Sequence, residues 1–583
     1  MSSSLPSRRL NWRLIARILR PYRWPMLALA GILAATIAIR LATPLVTGRF
    51  IDAATGGAPM DALVGLAVLA IALAFLGQGI AVAETWLAEK VGWGATNALR
   101  ETLAAHVLHL DASFHHAHRP GELIERVDGD VGTLARLFSR FVVYVVGNVL
   151  FVAGVLVLLF ALDWRVGLGL SCFVAAALGV MLWLRAVASP FSAAERQAAA
   201  DVYGFLGEHL SGLEDIRASD ARAFVLRRYA ELMRAWLSVR LGAQMRGYGM
   251  VAAGSGFFGL SLAFALAIGA VLFREGEITI GAVFLIFRYT DLLRQPTEQI
   301  RNEIQDLQVA GASLGRVEDL LARRSRLVDG PGDSLPDGAL ALDLDHVTFG
   351  YEPDSPVLHD VSLHLAPGRV LGIVGRTGSG KTTLTRLVPR FHDPDAGTVR
   401  LGGIDLRTVA VAAVRSRIGL VTQEAHLFHA SLRDNLTMFD DAVPDARLVA
   451  ALESLGMGPW LRDVPVGLDT PLAGGDGLSA GQAQVLACAR ILLRDPDVVI
   501  LDEPSAKLDP ATERLVHDAF ARLLAGRTGI VVAHRLSTIA LADDVLVLDH
   551  GRIVEHGPRA ALAADPGSRY AALLRLSTAE VPA

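Results

Sequence analysis

Long apolar runs fill the first half of the chain, and short apolar runs broken by polar and glycine-rich turns fill the second. Six of the long runs, at about 25–51, 62–86, 141–162, 166–187, 251–273 and 278–300, approach or exceed the ~20 residues that carry a helix across a bilayer. They predict six crossings. The polar connections between them alternate in length. Those at 53–61, near Asp163 and at 274–277 are short, whereas those at 85–139 and 189–245 are long, charged and helical in period. That alternation predicts helices running far beyond the membrane on one side only. Two stretches on that side interrupt the long helices at reversals. One, at 111–131, holds Phe114, Pro120, Glu122 and Arg126; the other, at 208–229, holds Gly212, Glu214, Asp215 and Arg217. On their own they fit either polar hairpin tips or short cross-helices.

Ahead of the first crossing, Arg9, Arg13, Arg17 and Arg20 interleave with Trp12, Leu14, Ile15, Ile18 and Leu19. This is the pattern of a basic amphipathic helix in the membrane interface, and its arginines predict a cytoplasmic N-terminus. No small-residue cleavage site follows, so the stretch does not read as a signal peptide. The sixth run carries Arg288, Tyr289, Asp291 and Arg294. At ~1.5 Å per residue Arg288 falls near the bilayer midplane, where charges are costly and face a cavity or a partner. Spacings of three put Arg288 with Asp291, and Asp291 with Arg294, on a shared face. Two readings fit: a polar lining of a transport path, or a self-neutralised structural cluster. Thr36, Arg40 and Asn148 are further polar candidates in the crossings.

Composition agrees with a membrane protein: 52% of the 583 residues are hydrophobic and 20% charged. A net charge of −4 without a basic stripe argues against a nucleic-acid partner. The two cysteines, Cys172 and Cys488, lie in different halves. They predict buried, inert thiols rather than a disulfide or metal site.

The stretch 322–338, rich in Arg, Asp, Gly and Pro, reads as a linker between a membrane domain at 1–321 and a domain at 339–583. Beyond it, alternating strands and helices predict an α/β domain with a largely parallel sheet. Its sharpest signal is Gly375, Arg376, Thr377, Gly378, Ser379, Gly380, Lys381, Thr382 and Thr383, after an apolar strand at 370–374 and before a helical pattern. This fits the phosphate-binding loop of nucleotide triphosphatases. Glycines let backbone N–H groups turn inward on phosphate oxygens, Lys381 reaches the β- and γ-phosphates, and the Thr382 hydroxyl holds Mg²⁺. Other apolar strands end in polar residues. Asp502 closes 498–502, placed for the Mg²⁺ shell, and Glu503 follows, placed to polarise a water. His534 ends 531–533, placed for the γ-phosphate. Gln423, after 418–421, is placed for metal and water, and Tyr351 for stacking on adenine. Ser479, Ala480, Gly481 and Gln482 open a helix at 483–494, a second anion-binding terminus. One nucleotide cannot readily use both termini within one chain, so a dimer is implied.

Together these residues make the chain resemble an exporter-type half-transporter of the ATP-binding cassette (ABC) superfamily. In that family an α-helical membrane domain of six transmembrane helices precedes an α/β P-loop NTPase domain. The resemblance implies ATP and Mg²⁺ as cofactors, with 375–382 as Walker A, 498–502 as Walker B and 478–482 as the signature. Tyr351 takes the A-loop position, Gln423 the Q-loop, Ser505–Asp509 the D-loop and His534 the switch histidine. The stretches 111–119 and 212–221 fall at the coupling helices. It further implies a second half-transporter, identical or different, whose signature closes over this chain's ATP, and a small amphipathic or drug-like substrate exported from a bacterial-type cytoplasm. Import of siderophore-like molecules on the same fold is the alternative. The chain departs from the family at Ala480 (usually Gly), Ala483 (often Arg), Pro504 (usually Ala) and 473–477, which lacks a usual Glu.

Overall fold

The computed structural model describes residues 12–352, 354–423, 425–472, 478–502, 510–532 and 536–579. The chain divides into two compact units, Met1–Leu108 with Pro120–Arg323, and His109–Arg119 with Arg324–Ala583.

The first unit is built of helices. α1 (Trp12–Leu19) passes through a tight turn into α2 (Arg23–Thr55), followed by α3 (Met60–His109). α4 (Ala112–Ala117) belongs to the second unit. α5 (Pro120–Ile124), α6 (Val131–Arg140) and α7 (Gly147–Leu162) are joined by wider π-type turns at Glu125–Asp130 and Phe141–Val146. α8 (Trp164–Ser211), α9 (Leu213–Ala218), α10 (Arg222–Arg274), α11 (Ile280–Leu292) and α12 (Arg294–Ala322) complete it.

Among the described residues, five helical stretches are long and apolar enough to cross a membrane: Ile15–Thr55, Met60–His109, Tyr144–Leu162, Trp164–Ser211 and Arg222–Arg274. The sixth run, expected at 278–300, is not one helix but α11 and α12, parted at Leu293. Pro296 has no N–H to give the carbonyl of Leu292, so the ladder is interrupted there. Short reversals are sealed by side chains. Asp163 caps α8, accepting from the N–H of Arg165 at 2.7 Å. Asp52 at the end of α2 accepts from Thr279 Oγ1 (2.8 Å) and the Gly281 N–H (2.7 Å) at the start of α11. The core is a stripe of residues four apart on α7 (Phe151, Val155, Leu159) packed with Val166 and Leu170 of α8 and Ile286 and Tyr289 of α11. Cys172, two residues from both Leu170 and Val174, therefore points some 200° away from that stripe and is exposed, not buried as expected.

Asp130, 4% exposed, accepts both a 2.9 Å bond from Arg316 Nε and a second bond from Nη2. Removing the guanidinium strands a buried carboxylate. Arg316→Ala is expected to lower stability by about 1–3 kcal/mol, with Arg316→Lys recovering only part because an ammonium cannot make the paired bonds. Thermal unfolding of the detergent-purified chain reads both; an unchanged melting point for Arg316→Ala would refute this role.

The second unit carries two main sheets. Its strands are β1 (Leu342–Glu352), β2 (Ser355–Leu365), β3 (Val370–Val374), β4 (Ala396–Leu401), β5 (Ile404–Asp405), β6 (Ile418–Val421), β7 (Ala430–Ser431), β8 (Pro471–Leu472), β9 (Val498–Asp502), β10 (Thr528–Val532), β11 (Asp544–Asp549) and β12 (Arg552–Pro558). β2-β1-β4-β5 is antiparallel; β12-β11-β3-β10-β9-β6 is parallel except for β12 at its edge. The helices are α13 (Lys381–Leu387), α14 (Val411–Ser416), α15 (Leu432–Thr437), α16 (Asp445–Ser454), α17 (Gly458–Asp463), α18 (Ala480–Arg494), α19 (Pro510–Leu524), α20 (Leu536–Ile539), α21 (Arg559–Ala564) and α22 (Arg569–Ala579). Strand side chains alternate between two cores. Val499, Leu501 and Val531 meet Val485 and Leu486 of α18 and Phe520 of α19. Ile500, Ile530 and Val532 meet Leu344, Val361 and Leu384. Cys488 sits in the first core, where burial pushes its thiol up to about 12 and leaves it inert.

Candidate functional site

The parallel sheet brings its polar strand ends to one edge. Register pairs Ile373 of β3 with Val532 of β10, and Val532 with Asp502 of β9. Asp502, half-buried, thus lies two strand spacings, ~9–10 Å, from the end of β3. Val421 of β6 pairs with Leu501, so Gln423, exposed two residues beyond, adjoins the same edge. Glu503, the stretch 505–509 and His534 lie outside the described residues, as do Pro504 and 473–477.

From β3 the chain turns through a loop only glycine permits at two points. A Cβ on Gly375 would collide with the Leu548 carbonyl oxygen, and Gly380 has φ +102°. The Ser379 N–H donates to the Arg376 carbonyl (3.1 Å), and the Gly551 N–H to the Ser379 carbonyl (3.0 Å). Lys381, 5% exposed, folds back over this loop and donates from Nζ to the carbonyls of Gly375 (2.8 Å) and Arg376 (3.0 Å). Arg376, Thr377 and Gly378 are exposed at the tip, Thr382 is half-buried and Thr383 buried. The Ser379 hydroxyl is buried with no hydrogen-bond partner among the described residues. An orphaned donor beside a fixed ammonium, at a loop a side chain would fill, fits the oxygens of a nucleotide phosphate.

Tyr351, half-exposed near the end of β1, approaches this loop through the helix that follows: its hydroxyl is 3.3 Å from Thr383 Oγ1. Its ring meets Phe349 and His392 edge-on at 5.3 and 5.4 Å. Ser479 caps α18 in a capping box, accepting from the Gln482 N–H (3.1 Å) while Gln482 Oε1 accepts from the Ser479 N–H (2.9 Å). Ser479 and Ala480 are exposed and Gly481 is buried. The start of α18 is thus preorganised and open.

Sequence reasoning missed the surroundings of Tyr351. Ser113, His116, Arg326, Tyr351 and His392 line a cavity of about 380 Å³. Asp111 caps α4, and its carboxylate also accepts from the Arg326 N–H at 2.5 Å. Burial works against its ionisation, yet the hydrogen bonds from Arg326, Phe114 and Ser113 outweigh it and hold the carboxyl below its usual range. His392, 6% exposed, shares a 3.2 Å hydrogen bond with Ser113 Oγ. Burial, then His116 and Arg386, push its pKa down, against a weaker opposing pull from Asp111. A histidine held neutral in the fold but free to protonate when unfolded stabilises the protein above about pH 6.5, and that contribution fades as pH falls through the lowered value. The melting point is therefore expected to drop on acidification from about pH 7.5 to 5.5, and to drop less in His392→Gln. Identical pH slopes would remove His392 from this account. No local pattern marks His392, since its environment comes from α4, far away in sequence.

The helical unit contains a second candidate, a cavity of about 790 Å³. Thr36, Arg40, Asn148 and Arg288 line it, joined by Glu84 and three glutamines the sequence reading passed over. Thr36 Oγ1 donates to Glu84 Oε2 (2.6 Å), and Asn148 Nδ2 to Gln299 Oε1 (2.8 Å). Arg288 pairs with Asp291 at 2.7 Å. Arg294, expected to share that cluster, pairs with Glu298 at 3.3 Å because the break at Leu293 starts a new helix.

Comparison with known proteins gives two family matches: ABC transporter transmembrane region over residues 26–297, and ABC transporter over residues 358–506. A mycobactin import ATP-binding/permease protein of Mycolicibacterium smegmatis is 34% identical over 577 residues, 96% of this chain and 65% of its own length. Its counterpart in Mycobacterium tuberculosis is matched over 66% of its length, so the chain spans just under two thirds of these relatives. A fatty acid ABC transporter ATP-binding/permease protein of Mycobacterium tuberculosis is 30% identical over 474 residues, 81% of this chain and 75% of that one. Among solved structures, a bacterial Atm1-family ABC exporter with ATP bound superposes with a TM-score of 0.80 at 26% identity, covering 96% of this chain and 99% of that one.

Proposed function

The chain belongs to the ABC transporter family, and from that premise we propose that it is one half of an ATP-driven exporter of small amphipathic or drug-like molecules. The observation that carries this reading is the loop at 375–383, with its folded-back Lys381 and orphaned Ser379 hydroxyl, in one chain with apolar helices around a polar cavity. We assign 1–321 to the membrane domain, 322–338 to the linker and 339–583 to the cassette, with the N-terminus and cassette on the cytoplasmic side of a bacterial inner membrane.

Each residue has a role in this reading. Tyr351 stacks on adenine, and Gly375–Thr383 wraps the phosphates, with Lys381 neutralising their charge. Thr382, Gln423 and Asp502 would hold Mg²⁺, which would supply positive charge to offset that of the phosphates. Glu503 orients the attacking water and takes up its proton; His534 contacts the γ-phosphate. Ser479, Ala480, Gly481 and Gln482 serve the nucleotide of a second half-transporter, another copy or a different half. Two features support pairing: the open start of α18, and the exposed Leu210 at the end of α8 and Leu213 at the start of α9.

ATP-dependent loss of a fluorescent amphipath from inside-in vesicles, or its uptake into inverted ones, tests the direction. Uptake into right-side-out vesicles would instead support an importer of siderophore-like molecules, the second reading favoured by the 34% identity to a mycobactin import protein.

A further inference from the structure

We propose that the cavity of the helical unit selects anionic amphipaths, holding a carboxylate or comparable oxyanion between Arg40 and Arg288. This rests on the transport reading and adds to it the charge of the substrate.

Arg40 stands 17 residues after Arg23 and 15 before Thr55 (40 − 23 and 55 − 40) in α2. At ~1.5 Å per residue it is ~26 and ~22 Å from the two ends, near the middle of the crossing. A charge at that depth is expensive and is retained for a partner or a ligand. Its guanidinium lies over the Phe151 ring at 4.4 Å. The other charges on the wall are Glu84 and Arg288. Glu84 is 5% exposed and accepts from Thr36, and among the described residues no ion pair joins it to Arg40. Arg288 is half-exposed and pairs with Asp291, which does not line the cavity.

On the wall itself two guanidinium groups face one carboxylate: Glu84 attracts Arg40 through space while accepting from Thr36, and Asp291 engages Arg288 through Nη1. In a space walled by apolar helices, the N–H groups these acids leave open favour an anion over a cation. Arginine also offers the paired N–H groups that match a carboxylate or phosphate. Gln78, Gln295 and Gln299 add carboxamides for neutral polar groups, while Leu33, Ile37 and Phe284 supply apolar wall. A volume of about 790 Å³ suits a drug-sized molecule rather than a simple ion.

The test uses the full chain in phosphatidylcholine nanodiscs, with dansyl-labelled undecanoic acid, its methyl ester and the corresponding amine, followed by fluorescence titration. The acid is expected to bind saturably and at least ~10-fold tighter than the ester, the amine weakest of all, as a charge-assisted bond implies. Arg40→Gln and Arg288→Gln should each erase most of the preference, and Glu84→Gln should keep or raise it. Equal binding of acid and ester by the wild-type chain overturns the proposal, whatever the variants do, and so does tighter binding of the amine. Adding phosphatidylglycerol to the discs separates sources: competition with the probe assigns the oxyanion to a lipid headgroup, and no competition to a diffusible acid. ATP-driven movement of acid and ester alike would sink this inference and leave transport standing. Selective binding of the acid without ATP-driven movement would do the reverse.

Discussion

Lys381→Ala is expected to lower ATP hydrolysis by ~10²–10³-fold, the loss that follows removal of one preorganised electrostatic donor. The ammonium sits at the loop mouth, fixed by the carbonyls of Gly375 and Arg376. Those two bonds keep the ammonium within the loop, and phosphate would draw on the donor capacity that they leave. The alanine variant also strands two carbonyls and opens a small void, so a stability loss of about 1–3 kcal/mol accompanies the kinetic effect. Comparing turnover at saturating ATP with the melting point separates the two. Turnover within twofold of wild type would mean that the loop is not the hydrolytic site.

The second large effect is at Glu503. In sequence it directly follows Asp502, the last residue of β9, and the proposed reading gives it the part of the base. Glu503→Gln keeps size and hydrogen bonding but removes the base. Hydrolysis should fall by ~10²–10⁴-fold while ATP affinity stays near wild type, because general-base loss acts on the chemical step. Persistent turnover in this variant would take Glu503 out of the reaction.

The fold was legible where one local signal sufficed. The apolar runs marked the crossings that became α2, α3, α7, α8 and α10, because a lipid-facing helix must be apolar along its length. The run Val498–Leu501 marked a strand buried on both faces, and the structure divides its side chains between two cores. Legibility failed where position depends on distant partners. The break at Leu293 follows from Pro296 within a stretch whose mean composition still looks like a crossing. Cys172 lies in an apolar run, yet the stripe that packs is two residues away on either side. The surroundings of His392 are assembled from α4 and β1, which no short window contains. In the membrane cavity, Arg40 and Arg288 stood out by charge, whereas Glu84, Gln78 and the α12 glutamines looked like ordinary polar helix positions. For the nucleotide loop, the glycine spacing named the residues, but the buried, unpartnered Ser379 hydroxyl and the fold-back of Lys381 appear only in three dimensions.

The central claim is that ATP at the 375–383 loop drives a molecule through the helical unit. The most direct measurement is ATP-dependent movement of dansyl-labelled undecanoic acid in sealed proteoliposomes, using the chain purified with whichever half accompanies it, beside the Lys381→Ala form. The account predicts movement that starts on ATP addition and is lost in the variant. Movement that is the same without ATP, or undiminished in Lys381→Ala, would contradict it.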